Sequence, residues 1–202
     1  MSLLRPGRYL PAVTCLDLEG LWAAGKRVLL LDRDNTLVPR DARRAPDDVV
    51  AWLAHARSIG FRLCLVSNNW AKNVRPDAEQ FGAQLVSRAA KPLPFGLWRA
   101  LRKVGGRPSE AVLVGDQVFT DVLGARLAGI DSVLVRPQAE KDLAHTLVLR
   151  RVEALVLAGV PVEDGTESGA GRKGASGAAE DAHQDGDCRR LGKGPRSDGH
   201  SQ

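Results

Sequence analysis

Two aspartates one residue apart, Asp32 and Asp34, close the apolar run of LLLDRDNTLV. In an extended segment the side chains at i and i+2 point the same way, so both carboxylates face one pocket while Arg33 points elsewhere. Such a pair can divide labour, one carboxylate attacking as a nucleophile and the other giving and taking a proton. Thr36, two residues on, can fix the loop by hydrogen bonding. Ser67 and Asn68 end a second apolar run, Lys91 precedes Pro92 in RAAKPLP as a compact positive charge, and Asp116 and Asp121 lie in GDQVFTD. Acids, a hydroxyl and an ammonium in this order are the groups a phosphoryl-transfer site needs.

The elements that must position these groups read from the spacing of apolar residues. RVLLLD (27–32), FRLCLVS (61–67), AVLVGD (111–116) and DSVLVR (131–136) are short continuous apolar runs bounded by turn residues, as in strands buried on both faces of a parallel sheet. Amphipathic segments lie between them: APDDVVAWLAHARSIG with an acidic first turn and Gly60 as its stop, WAKNVRPDAEQFG, LPFGLWRALRKVGG and FTDVLGARLAGI. A further short strand is expected around AQLVS, and a last helix over 140–160. Strand and helix in alternation imply right-handed crossovers and a doubly wound α/β sheet, a Rossmann-like arrangement. In such a sheet ligands bind beyond the carboxyl ends of the strands, which is where Asp32, Asp34, Ser67, Asn68 and Asp116 all fall.

Composition narrows the function classes. The chain has 202 residues, 44% of them hydrophobic and 4% aromatic, enough for one domain of ordinary size with a core of Leu, Val and Ala. The net charge is +5, but residues 163–202 hold eight acids and six bases, so about +7 rests on the remainder, which suits an anionic partner. Residues 1–160 read as one domain; residues 161–202, rich in Gly and charge, read as a disordered tail. Cys15, Cys64 and Cys188 form no CxxC pair, so neither a disulfide framework nor a zinc site is expected, and a reducing cytosol is the simplest compartment. MSLLRPGRYLPAV, broken by Arg5, Pro6, Arg8 and Pro11, lacks the apolar stretch of a signal peptide, and no apolar run approaches a membrane span. GLWAAGKR and GAGRKG match phosphate-loop patterns by accident, the first preceding a strand and the second lying in the tail.

DRDNTLV resembles the DxDxT signature of the haloacid dehalogenase superfamily, VSNN its second motif, Lys91 its lysine and GDQVFTD its terminal acidic motif. SNN, KP and GDQVFTDVLGA together are similar to the YqeG-type phosphatases of subclass IIIA, over roughly residues 1–158. The resemblance implies that Asp32 attacks phosphorus to form an aspartyl phosphate and Asp34 acts as acid and base. By the same likeness Ser67, Asn68 and Thr36 bind substrate, with Lys91 offsetting charge on nucleophile and phosphoryl group. It implies Mg2+ held by Asp32, Asp34 through its backbone carbonyl, and Asp116, with Asp121 beside or among them. Without a cation these carboxylates would raise one another's pKa and lose charge. Arg33 departs from the apolar or acidic residue usual between the aspartates, and is expected to point away from the catalytic face.

Neither the interval from Thr36 to the helix near Pro46 nor that from Ser67 to Lys91 has room for a cap domain, so an open site and a bulky phosphate monoester are expected. Relatives of this type act on phosphatidylglycerophosphate, which points to a lipid phosphate and to peripheral contact, through Arg5, Arg8, Arg150 and Arg151, with an anionic membrane. The competing readings are a phosphate-sensing regulatory domain, which does not need an acid two residues after the phosphorylated aspartate, and an RNA-associated protein. The latter would lack an aromatic stacking platform, and no nucleic acid is expected.

Overall fold

The computed structural model describes residues 3–138 and Val162. Its elements are β1 Arg8–Leu10, α1 Leu18–Ala23, β2 Val28–Leu31, α2 Asp47–Ile59, β3 Arg62–Val66, α3 Ala71–Gln80 and β4 Gln84–Val86, then α4 Phe95–Val104, β5 Ala111–Gly115, α5 Leu123–Ala128 and β6 Asp131–Val135. The strands form one sheet in the order β1-β6-β5-β2-β3-β4, with every neighbouring pair parallel. The expected helix over 140–160 and, apart from Val162, the expected tail lie outside the described residues.

Alternation along the strands builds two cores, one on each face of the sheet. Leu29, Leu31, Leu63, Leu65, Val112 and Val114 face α2 and α3, meeting Val49, Trp52, Leu53 and Ala56 from one helix and Val74 and Ala78 from the other. Val28, Leu30, Cys64, Val66 and Leu113 face the other way, onto Leu97, Ala100 and Leu101 of α4 and Ala125 and Ala128 of α5. This is why VLLL reads as continuously apolar: each of its four residues is wholly buried. The buried positions of α2 recur at i, i+3, i+4 and i+7. Asp47 and Asp48 suit its positive end, and Gly60 ends it at φ 114°, a left-handed conformation that favours glycine.

Central β2 lies between β5 and β3, and the chain departs from it in both directions. The carboxyl ends of β2, β3 and β5 therefore meet at a topological switch point, where the loops part and leave a crevice. Among the described residues no cap domain stands over that crevice. Two short elements escaped the sequence reading: β1, which pairs with β6 at the sheet edge, and α1, whose N-terminus Asp17 caps by accepting from the backbone N–H of Gly20 at 2.8 Å. The segment FTDVLGARLAGI does not form one helix. A π-helical turn, Val118–Val122, leads into α5. The expectation of no disulfide is corrected at Cys15, which is disulfide-bonded, whereas Cys64 is buried and free. Sequence spacing does not fix the distance between cysteines in space, and cysteine usage accordingly loses its weight as an argument about compartment.

Candidate active site

Asp32 continues β2, its backbone N–H donating to the carbonyl of Val114 on β5 at 2.9 Å. After it the chain folds into a compact loop. Leu37 and Val38 donate to the carbonyl of Arg33, Asn35 donates to that of Val38, and Asn35 adopts φ 60°. Ser67 likewise continues β3, bonded to the carbonyl of Val86 on β4. Asn68 then holds the next loop: its Oδ1 accepts from the Lys91 N–H at 2.8 Å and its Nδ2 donates to the Lys91 carbonyl at 3.1 Å. Asp116 follows β5, and Asp121 projects inward from the π-helical turn.

These placements bring Asp32, Asp34, Ser67, Asn68 and Lys91 to one pocket of about 200 Å3, together with Arg40, Asn69, Gln117 and Thr120. Beneath it the carboxylates of Asp32, Asp116 and Asp121 lie within 4.8 Å of one another, all buried. Lys91 Nζ donates to Asp32 Oδ1 and to Asp121 Oδ1, each at 2.6 Å. Asp121 Oδ2 accepts from the N–H of Gln117. Gly115 is required at close quarters, since a Cβ there would collide with the Asp121 carboxylate.

Burial dominates the electrostatics. It pushes Asp32 up to about 7, opposed by Lys91 and reinforced by Asp121. It pushes Asp116 up to about 9, with Asp32 and Asp121 adding to the push. Burial pulls Lys91 down, but Asp121 and Asp32 more than reverse it, so the ammonium stays charged above the ordinary lysine range. Were all three buried carboxylates ionised, the single ammonium would leave two negative charges uncompensated, and without a cation the raised acids answer by holding protons. Asp116 Oδ1 is moreover buried without any hydrogen-bond partner. An orphaned oxygen in an all-oxygen cluster fits a hard divalent cation.

The other expected residues fall as follows. Thr36 is not at the pocket: after the left-handed turn at Asn35 it is wholly buried, with its hydroxyl unpartnered and its carbonyl accepting from Gln138 Nε2. Asn68 lines the pocket but spends its amide on the backbone of Lys91. Arg33 is not part of the pocket lining, yet it reaches the carboxylate of Asp34, which is. Its Nη1 donates to Asp34 Oδ1 at 2.6 Å and its Nε to Asp77 Oδ2, on α3, at 2.5 Å. Asn69, missed by the sequence reading, donates from Nδ2 to the other oxygen of Asp34 at 2.5 Å. Its only signal was the second Asn of SNN. Arg40, Gln117 and Thr120 were also missed: the first two stand in loops whose sequence carries no periodicity, and Thr120 lies in the π-helical turn read as the start of a regular helix.

A family model described as haloacid dehalogenase-like hydrolase matches residues 17–129. The chain is 30% identical over 152 residues to the Bacillus subtilis protein named "Probable phosphatase YqeG", covering 75% of this chain and 88% of that one. It is 36% identical over 122 residues to a phosphoserine phosphatase of Thermus thermophilus, covering 52% of this chain and 49% of that protein. It is 32% identical over 105 residues to a glyceraldehyde 3-phosphate phosphatase of Methanopyrus kandleri, covering 48% and 45%. The chain thus spans about half the length of these last two relatives.

Proposed function

The chain belongs to the haloacid dehalogenase-like hydrolases, among its YqeG-type phosphatases, and we propose that it hydrolyses phosphate monoesters with Mg2+ through an aspartyl phosphate on Asp32. The observation that carries this reading is the convergence of Asp32, Asp116 and Asp121, with one carboxylate oxygen unpartnered, in a cluster that shares Asp32 with a pocket lined also by Asp34, Ser67 and Lys91. Asp32, Asp116 and Asp121 would hold the ion by their side chains, and Asp34, by family likeness, through its carbonyl. Bound there, Mg2+ supplies positive charge against the oxygens of the transferred phosphoryl group.

The residues of the chain divide the rest. An Asp32 carboxylate oxygen attacks phosphorus and the ester bond breaks, while Asp34 gives its proton to the departing oxygen. Water then attacks the aspartyl phosphate, loses a proton to Asp34 and frees inorganic phosphate and Asp32. The Ser67 hydroxyl donates to a phosphoryl oxygen, and Lys91, already fixed between two carboxylates, offsets charge without reorganising. Asp34 also separates this reading from a phosphate-sensing domain, which has no use for an acid presented beside the phosphorylated aspartate.

For the substrate we favour a lipid phosphate of the phosphatidylglycerophosphate class, reached from the cytoplasmic face of a membrane. The support is an uncapped pocket flanked in sequence by exposed apolar residues, Trp70 just after Asn69, and Leu93 and Phe95 just after Lys91. No helix among the described residues is long and apolar enough to cross a membrane. The test is phosphate release with Mg2+ from vesicles containing phosphatidylglycerophosphate and from soluble esters, run beside Asp32→Asn. Release that survives Asp32→Asn overturns the mechanism. Equal or exclusive release from the soluble esters overturns the lipid substrate alone.

A further inference from the structure

Two cationic residues line the pocket, Lys91 and Arg40, and they are not in the same state. Lys91 is buried and committed to Asp32 and Asp121. Arg40 is exposed at the mouth, and its guanidinium has no ion pair or hydrogen bond among the described residues. Asp41, its exposed neighbour, does not pair with it, and Arg43 and Arg44 follow, so the segment 40–44 carries two net positive charges.

The backbone beneath Arg40 is held in place. Asn35, 1% exposed, accepts the Arg40 N–H on its side-chain oxygen at 3.1 Å, and its own N–H and carbonyl bond Val38 and Gln138. The turn beyond is closed by Ala42 donating to the carbonyl of Pro39. The loop carrying the two aspartates therefore also fixes where Arg40 leaves the backbone, and its unpaired guanidinium belongs to the lining of the pocket that holds Asp32 and Asp34.

Resting on the phosphatase reading, we propose that Arg40 is the specificity-determining residue of the pocket and takes a second anionic group of the substrate. The preferred ester then bears a phosphodiester or carboxylate besides the phosphate that is removed. Guanidinium suits this role because its planar donors meet a phosphate or carboxylate two bonds at a time, and because nothing in the protein competes for them. Lys91 cannot serve it, since both of its carboxylate partners lie at the reacting end.

The test uses the full chain with Mg2+ and three esters: glycerol 3-phosphate, 3-phosphoglycerate and glycerophosphoglycerol phosphate. The readout is the ratio of kcat/KM for each two-anion ester to that for glycerol 3-phosphate, which does not depend on the fraction of protein that is folded. Arg40→Gln is expected to lower that ratio about tenfold, mainly through KM, as loss of one charge-assisted contact predicts, with Arg40→Lys partly restoring it. The carboxylate and phosphodiester arms identify which anion is read. An unchanged ratio, or an equal loss on all three esters, overturns the proposal, the latter placing Arg40 on the transferred phosphate instead. Calorimetric binding of glycerophosphoglycerol phosphate to Asp32→Asn, with and without Arg40→Gln, keeps the two readings apart. Arg40-dependent binding without turnover by the native chain overturns the phosphatase and supports this inference; equal binding overturns the inference.

Discussion

Lys91→Met removes a buried ammonium while keeping the length and burial of the side chain. The native Nζ makes two charge-assisted hydrogen bonds at 2.6 Å. At about 1.5–3 kcal/mol each they amount to about 3–6 kcal/mol, which brackets the about 3–5 kcal/mol that breaking a buried ion pair costs. The loss has a ceiling set by pH. Burial already lifts Asp32 to about 7 and Asp116 to about 9, and without Lys91 both move higher, so the abandoned carboxylates shed charge by taking protons. Acids with folded pKa values above their unfolded ones bind more protons when folded, so stability falls as pH rises from about 4 through the folded values. The variant should thus lose about 3–5 kcal/mol near pH 8 without divalent metal, a drop of roughly 10 °C in Tm, and much less near pH 5. Urea and thermal unfolding in chelator at both pH values measure this. The kcat for phosphate release with Mg2+ should fall about 10²- to 10³-fold. A loss near pH 8 of under about 1 kcal/mol, the worth of an exposed ion pair, or a loss equal at both pH values, would refute the picture of a charge-starved carboxylate cluster.

Two other outcomes follow from the same cluster and the loop beside it. Because Asp116 is lifted to about 9 from an ordinary 3.8, the metal-free protein should weaken as pH climbs between them. Added Mg2+ should therefore raise Tm more near pH 8 than near pH 5, and Asp116→Asn should shrink that difference without erasing it, since Asp32 at about 7 also titrates in this range; a Tm gain independent of pH in the native chain contradicts the assignment. Gly96→Ala would set a Cβ 2.8 Å from the Ala89 carbonyl carbon, in the loop tied to Ser67 and leading to Lys91. Such overpacking against backbone should cost about 1–3 kcal/mol and lower kcat as Lys91 shifts, and an unchanged melting curve argues against it.

The sheet was legible because strands buried on both faces leave continuous apolar runs. VLLL and AVLVG could hardly be read otherwise. β1 was not, since RYL is three residues of an edge strand with partly exposed side chains, and α1 was masked by its likeness to a phosphate loop. In the candidate site, a place in the pocket lining was legible wherever a strand end or an i, i+2 spacing fixed a side chain's direction, as for Asp32, Asp34 and Ser67. Thr36, a substrate contact by family likeness alone, lies buried outside the pocket lining, beyond the positive φ of Asn35. The partners of Asp34 were not legible in the same way. Asp77 lies 44 residues from Arg33, and Asn69 lies 35 from Asp34, so only the tertiary fold brings them together.

Arg33 shows what such partners contribute. Its two ion pairs tie Asp34 on the β2 loop to Asp77 on α3, with the guanidinium and the Asp77 carboxylate both largely buried. Asn69 holds the remaining oxygen of Asp34. A group that must give a proton to one atom and take it back from another needs a fixed orientation, because small misplacements are costly to proton transfer. Where a second domain closes over a site, that order can come from above. Among the described residues nothing covers this pocket, so both oxygens of Asp34 are oriented from within the core domain, by a neighbouring cation and by the loop of β3. The charge between the two aspartates is then no defect of the pattern. On the proposed mechanism it is the means by which an open pocket keeps the Asp34 carboxyl in place.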